Sequence, residues 1–159
     1  MGLTNVSFSG NQADLGGGMS NHSSEGVMVN IIMWNNGGGS IYNIASSLTI
    51  TIVNSIIEYC GGSGFMTWTT AMGVDGGDNL DVDPLFVTPV DPATAPTTAG
   101  NLHLQFSSPG VETGLNAACP ATDLDGYTRP IDGDLDGSAD CDMGAYEKTI
   151  DLFLPLIVR

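Results

Sequence analysis

"NVSFSGN" (5–11), "NIIMWNN" (30–36) and "NSIIEYC" (54–60) are three versions of one phrase, and their spacing decides the fold. The leading asparagines, Asn5, Asn30 and Asn54, lie 25 and 24 residues apart. Behind the first two copies come "GGGMSN" (16–21) and "GGGSIYN" (37–43), then "SSEGVMVN" (23–30) and "SSLTITIVN" (46–54). Each unit reads as short strand, Gly-rich turn, short strand, polar turn, strand, Asn. A period near 24 residues with three short strands per unit predicts a parallel β-helix. Each coil adds one rung to three parallel sheets and cannot bury its apolar side alone.

Aligning the copies places Val6, Ile31 and Ser55 in one inward column and Phe8, Met33 and Ile57 in another. Ser9, Trp34 and Glu58 then face outward, because side chains alternate along a strand. In "LTITI" (48–52) the inward set is Leu48, Ile50 and Ile52. Asn tolerates the left-handed region and bonds locally, so Asn5, Asn30 and Asn54 suit tight turns between strands. Stacked one above another, they are also expected to bond from coil to coil as an asparagine ladder.

Past Gly61 the repeat degrades. "GSGFMTW" (62–68) suggests one more short strand, while "GVDGGDNLDVDPLF" (73–86) and "VTPVDPATAPTTAG" (87–100) read as surface loops. "NLHLQF" (101–106) alternates as a strand does, and Pro155 makes "DLFLPLIVR" (151–159) an edge or capping strand. The expected architecture is all-β: a right-handed parallel β-helix of about three rungs over residues 1–74. A loop-rich C-terminal cap follows over 75–150, then an apolar tail over 151–159.

Charge is distributed unevenly. The chain has 18 acidic and 3 basic residues, a net charge of −15. Through Val74 the acids are Asp14, Glu25 and Glu58, and no Lys or Arg precedes Arg129. Nucleic acid is excluded as a partner, since there is no phosphate-neutralising footprint. Anionic membrane surfaces are disfavoured for the same reason, and no stretch is apolar enough to span a bilayer. Residues 1–20 lack a basic region followed by an apolar run, so a secreted protein of this kind is expected to carry its leader upstream of Met1.

Two regions look like known proteins. Phe8-Ser9-Gly10-Asn11 followed by Gly16-Gly17-Gly18 resembles the repeat of polymorphic outer membrane proteins. "NLDVDPLFV" (79–87), "LHLQFSSPGVETG" (102–114) and "CDMGAYE" (141–147), in that order, resemble the terminal module of secreted bacterial β-helix repeat proteins, the choice-of-anchor Q group. Gly110 and Glu112 depart from the usual Ala and Asp of that group's S-P-A-x-D pattern. The resemblance implies an extracellular or cell-surface location, a C-terminal position in a longer β-helix, and no single activity.

Candidate chemistry is sparse. Lyase elimination on this fold needs a strong base beside calcium-bound carboxylates, and the coils carry no Arg or Lys. Glycoside hydrolysis needs carboxylates spaced across a cleft. Asp78, Asp81 and Asp83 form the dense set near the coils, where Asp ordinarily caps turns. His22 and His103 have no Ser or Cys partner arrangement, and His103 reads as an exposed strand residue. The better site is "IDGDLDGSADCDMGAYE" (131–147), in which Asp132, Asp134, Asp136 and Gly137 fit D-x-D-x-D-G, the start of a calcium loop. Met143 stands where the bidentate acid at loop position twelve belongs, leaving Asp140 and Asp142 as substitutes.

Cys119 and Cys141 bracket this loop and are expected to form a disulfide, which leaves Cys60 free and suits an oxidising compartment. Outward-facing Trp34 beside Glu58 offers a sugar-stacking surface, with a covering loop or subunit as the plainer reading. These features favour a non-catalytic secreted or cell-surface module for adhesion, scaffolding or contact with a polysaccharide or cell-surface glycan, with calcium as its possible cofactor. The alternative is the end of a polysaccharide lyase or glycoside hydrolase whose catalytic coils lie upstream of Met1. On either reading, upstream coils or another subunit are expected against the N-terminal end.

Overall fold

A computed structural model describes residues 2–44, 49–61 and 68–150. Coil one comprises β1 (Gly2–Thr4), β2 (Ser7–Ser9) and β3 (Met19–His22). Coil two comprises β4 (Gly26–Val29), β5 (Ile32–Trp34) and β6 (Ile41–Ile44). Coil three contributes β7 (Ile50–Val53) and β8 (Ile56–Ile57), and β9 (Val74–Asp75) follows. These strands form three parallel sheets in sequential order, β1-β4-β7-β9, β2-β5-β8 and β3-β6. That is the arrangement of a β-helix-like solenoid.

The columns read from the repeat are present. Phe8 pairs in register with Met33, and Met33 with Ile57. Met28, Ile31, Met33, Ile50, Ile52 and Ile57 are buried in one cluster, with Val6, Phe8 and Leu3 packed against it. Each fully buried side chain of this size contributes about 1.5–3 kcal/mol. The stack also runs one rung beyond the three expected. β9 pairs with β7, and Leu80 bridges to Ile56, within a stretch that reads as surface loop. Glycine-rich composition hides that rung, because only two of its residues, Val74 and Asp75, pair as strand. Leu48, most of 62–68 and the 151–159 tail lie outside the described residues.

Turns recur as strictly as strands. Asn5, Asn30, Asn54 and Asp78 all adopt positive φ, at 51°, 56°, 44° and 56°. Gly10, Asn35 and Tyr59 repeat the conformation at the far end of the second strand, at 72°, 55° and 64°. The Gly-rich turns stack because they are bare: a Cβ on Gly18 would lie 2.4 Å from the carbonyl oxygen of Ser40 in the coil above.

The coil-to-coil ladder is wider than the sequence suggests. Asn30 donates to Asn5 Oδ1 at 3.0 Å, Asn11 to Asn36 Oδ1 at 2.9 Å and Asn21 to Asn43 Oδ1 at 3.0 Å. Asn54 instead donates to the Thr113 carbonyl, and Asn79 takes the next inner position, accepting from Ser55 N and donating to Ile52 O. The Asn11–Asn36 pair was visible as the shared seventh residue of the first two phrases.

Residues 80–150 lie along the side of the stack. β10 (Phe86–Thr88) and β11 (Asn101–Leu104) pair antiparallel. Phe86 and Leu104 join Val111 and Met143 over Ile32 and Ile56, which face out of the coils. This second core explains why "NIIMW" and "NSII" are continuously apolar: both faces of that sheet are covered. Asn30 ties the two layers together, so replacing it separates two costs. Asn30→Ala is expected to lower unfolding free energy by about 2–4 kcal/mol, from lost buried bonds and left-handed strain. Asn30→Gly, which keeps the turn, should cost about 1 kcal/mol less. Equal losses in urea unfolding would remove the backbone argument.

Candidate functional site

The stretch 141–147 runs as a strap across the first turn of coils one and two. Gly144 N donates to Asn30 O at 2.8 Å, Ala145 N to Ser7 Oγ at 3.1 Å and Met143 N to Gly110 O at 2.9 Å. Gly144 has φ 88°, and a Cβ there would lie 2.6 Å from Ser7 Oγ, so the strap can press this close only at glycine. The Cys119–Cys141 disulfide anchors its start, with Cα atoms 5.9 Å apart. Closing a segment of this length contributes about 3 kcal/mol. Cys60 takes no part in the disulfide; it is buried in the coil interior, its thiol donating to the Leu80 carbonyl at 3.6 Å.

Arg129 holds the strap from the other side. Its Nη1 lies 2.9 Å from Glu147 Oε1, and both side chains are 0% exposed. The guanidinium also donates to Asp142 O at 3.2 Å and Gly144 O at 2.9 Å. Glu147 accepts from the backbone N–H groups of Ile131 and Asp142, and Asp123 from that of Glu147. Burial lowers the Arg129 pKa, while Glu147, Asp123 and Asp142 favour its charged form. In the sequence Arg129 stands out only as the first basic residue of the chain. Its buried partner, Glu147, has as its only sequence signal the last position of "CDMGAYE".

The aspartates of 131–147 divide into two groups. One oxygen from each of Asp132, Asp134, Asp136 and Glu112 lies within 4.8 Å of the others. Glu112 enters from outside the loop, at φ 53°, and accepts from Gly133 N and from Asp134 N at 3.1 Å. Asp132 accepts from Leu135 N and Gly137 N, Asp134 from Asp136 N and Asp136 from Ser138 N, which fixes the loop's curl. This cluster could hold a metal ion such as calcium. The carboxylate that position twelve lacks is matched by Glu112, at the site of the departure from S-P-A-x-D. A second grouping, Cys119, Cys141 and Glu147, is spent on the disulfide and the ion pair.

Asp140 and Asp142 lie apart from the cluster. Asp140 accepts from Asn116 Nδ2 and Ser138 Oγ. Asp142 is fully buried and accepts from Glu112 N at 2.8 Å and from Lys148 N. Burial pushes its carboxyl from 3.8 up to about 7, with the Glu147 charge adding to the rise and the two N–H groups opposing it. Glu147 is raised too, chiefly by burial.

The other candidates have structural partners. Trp34 is half-buried against the outer cluster of Ile32 and Ile56. Glu58 Oε2 accepts from Asn35 N at 2.8 Å, capping a left-handed turn in the coil before. Asp81 does the same for Tyr59 N and Gly61 N, Asp83 accepts from Leu85 N, and Asp78 occupies the left-handed turn column. His103 stacks on Tyr146 with centroids 4.0 Å apart and meets Asp125 Oδ2 at 2.8 Å, pinning β11 to the strap.

No family model, curated protein or solved structure matches this chain.

Two outcomes follow from the buried charges. Arg129→Ala and Glu147→Ala are each expected to lose about 3–5 kcal/mol, because each strands a buried charge. The double variant should lose well under the sum, and strict additivity in denaturant unfolding would contradict the pairing. The folded chain also binds the Asp142 proton more tightly than the unfolded chain does. Stability from this group is therefore full below pH 3.8 and is lost as pH rises through about 7. The melting temperature is expected to fall across that window, and Asp142→Asn to flatten the fall. An unchanged slope in the variant would exclude Asp142 as its source.

Proposed function

We propose that the chain is a non-catalytic right-handed β-helix module of the choice-of-anchor Q type, serving a secreted or cell-surface protein as scaffold or adhesive support. The observation that carries the reading is the fate of the polar groups. Arg129 sits in a fully buried ion pair that holds a strap. Glu58, Asp81, Asp83, Asp142 and Glu147 spend their oxygens on backbone amides. Chemistry of the lyase or hydrolase type needs such groups facing a substrate; here they face the chain itself.

The acidic loop supports calcium as the stabilising ion. With these oxygens within 4.8 Å of one another, each pair of carboxylates repels by at least about 1 kcal/mol in water and about 3 kcal/mol at an effective dielectric of 20. A hard divalent cation turns that repulsion into attraction, and three carboxylates from a tight loop with Glu112 from outside it match its oxygen preference. Calcium and a disulfide both fit an extracellular setting.

Calcium is expected to raise the melting temperature and EDTA to reverse the rise. Glu112→Gln and Asp134→Asn should each abolish the calcium response, while Asp140→Asn should preserve it. Melting curves that calcium leaves unmoved would remove the ion from this reading.

A further inference from the structure

The two sulfurs of the Cys119–Cys141 disulfide stand in opposite surroundings. Cys141 is fully buried, and three N–H donors converge on its Sγ: Arg129 Nη1 at 3.5 Å, Asn5 Nδ2 at 3.6 Å and Asn30 Nδ2 at 3.9 Å. Two of them come from the coils and one from the C-terminal segment. Cys119 is half-buried and follows the turn Asn116–Ala118, none of whose residues is buried. Among the described residues no hydrogen bond reaches its sulfur.

Neutral divalent sulfur is a weak acceptor, so a purely structural disulfide has little use for such donors. Three N–H groups, one of them on a guanidinium, match a thiolate instead, because charge on the acceptor roughly doubles a bond of this kind. Glu147 is the opposing charge, with one oxygen within 4.8 Å of both sulfurs. Arg129 at 2.9 Å and the N–H groups of Ile131 and Asp142 take up that charge. Cys141 is also held in place without its disulfide bond. Its N–H donates to Asn116 Oδ1 and its carbonyl accepts from Gly114 N, both at 2.7 Å. A thiolate formed there stays among its donors.

We propose that Cys119 is a thiol-exchange site, modified by a low-molecular-weight thiol while Cys141 leaves. The external thiolate attacks Cys119 Sγ and forms a mixed disulfide with it. The Sγ–Sγ bond breaks, and its electron pair departs on Cys141 Sγ as a thiolate bound by Arg129, Asn5 and Asn30. The incoming sulfur is oxidised and Cys141 reduced, so the electrons balance without a further reagent. Attack is directed to Cys119 because it is the less buried of the two and because the better-stabilised thiolate leaves faster. In the reverse step the Cys141 thiolate attacks Cys119 Sγ, expels the thiol and restores the disulfide. The strap stays docked throughout, since the N–H groups of Cys141, Met143 and Gly144 keep their acceptors.

The test incubates the folded, oxidised 159-residue chain with glutathione, quenches it in acid at intervals, and maps adducts and free thiols by mass spectrometry. Glutathione is expected on Cys119 with the free thiol on Cys141, in at least about tenfold excess over the reverse product. Asn5→Gly keeps the left-handed turn and removes one sulfur donor, so initial exchange should slow by at least about threefold. An Asn5 that only positions the strap predicts the opposite, faster exchange as the strap loosens. Comparable yields of the Cys141 adduct overturn the proposal, as does an unchanged or faster rate in the folded variant. If Asn5→Gly does not fold, urea decides on the wild type. The exchange rate is expected to stay flat below the unfolding transition. A rate that climbs from the first addition of urea means attack on the opened chain alone, and overturns the proposal.

Discussion

Two carbonyl oxygens, those of Asp142 and Gly144, hold this structure together. Asn5 Nδ2 donates to both, at 2.8 and 3.2 Å, from the first coil. Arg129 donates to both from the opposite side. The strap between them is thus clamped by one side chain of the solenoid and one of the C-terminal segment. Asn5 is held in turn by Asn30, and Arg129 by Glu147. A buried amide and a buried guanidinium are costly unless each donor is satisfied. Here the strap's backbone supplies acceptors for Asn5 Nδ2 and for both Arg129 Nη groups, which fixes its position, while the buried Arg129 Nε has no partner among the described residues.

That clamp makes a two-layer protein out of a repeat. Stacked coils bury one apolar column by themselves, but Ile32 and Ile56 point the other way. The strap brings Met143 over them, and the segment leading to it adds Phe86, Leu104 and Val111. The disulfide anchors the strap's first residue, and the bonds of Asp123 and Glu147 anchor its last. The C-terminal region works as a lateral brace, and the last apolar sheet face is dry because of it.

The same accounting bears on chemistry. An acidic chain with three basic residues has few ways to bury carboxylates. It buries them against amides, as at Asp142 and Glu147, or gathers them where a cation can sit, as at Glu112 and Asp132–Asp136. Glu58 and Asp81 use the first solution repeatedly, each capping a left-handed turn one coil below. A carboxylate bound in this way has its lone pairs directed at N–H groups and is a poor general base.

Much of the solenoid was legible in its residues. The 24–25-residue recurrence of Asn5, Asn30 and Asn54 follows from a backbone geometry that tolerates few residue types, so it must be written locally. Alternation likewise fixed Phe8, Met33 and Ile57 as interior, since neighbouring side chains on a strand face opposite ways. The calcium-like spacing of Asp132, Asp134 and Asp136 is also local. What the sequence could not show depends on contacts between residues far apart along the chain. Glu112 joins the acidic loop from about twenty residues away, Arg129 meets Glu147 beneath the strap, and Asp142 turns inward while Asp132–Asp136 face the loop. Local patterns specify turns and strands because their energies are set within a few bonds. Which carboxylate is buried, and which is free to meet a cation, is decided only when the strap docks on the coils.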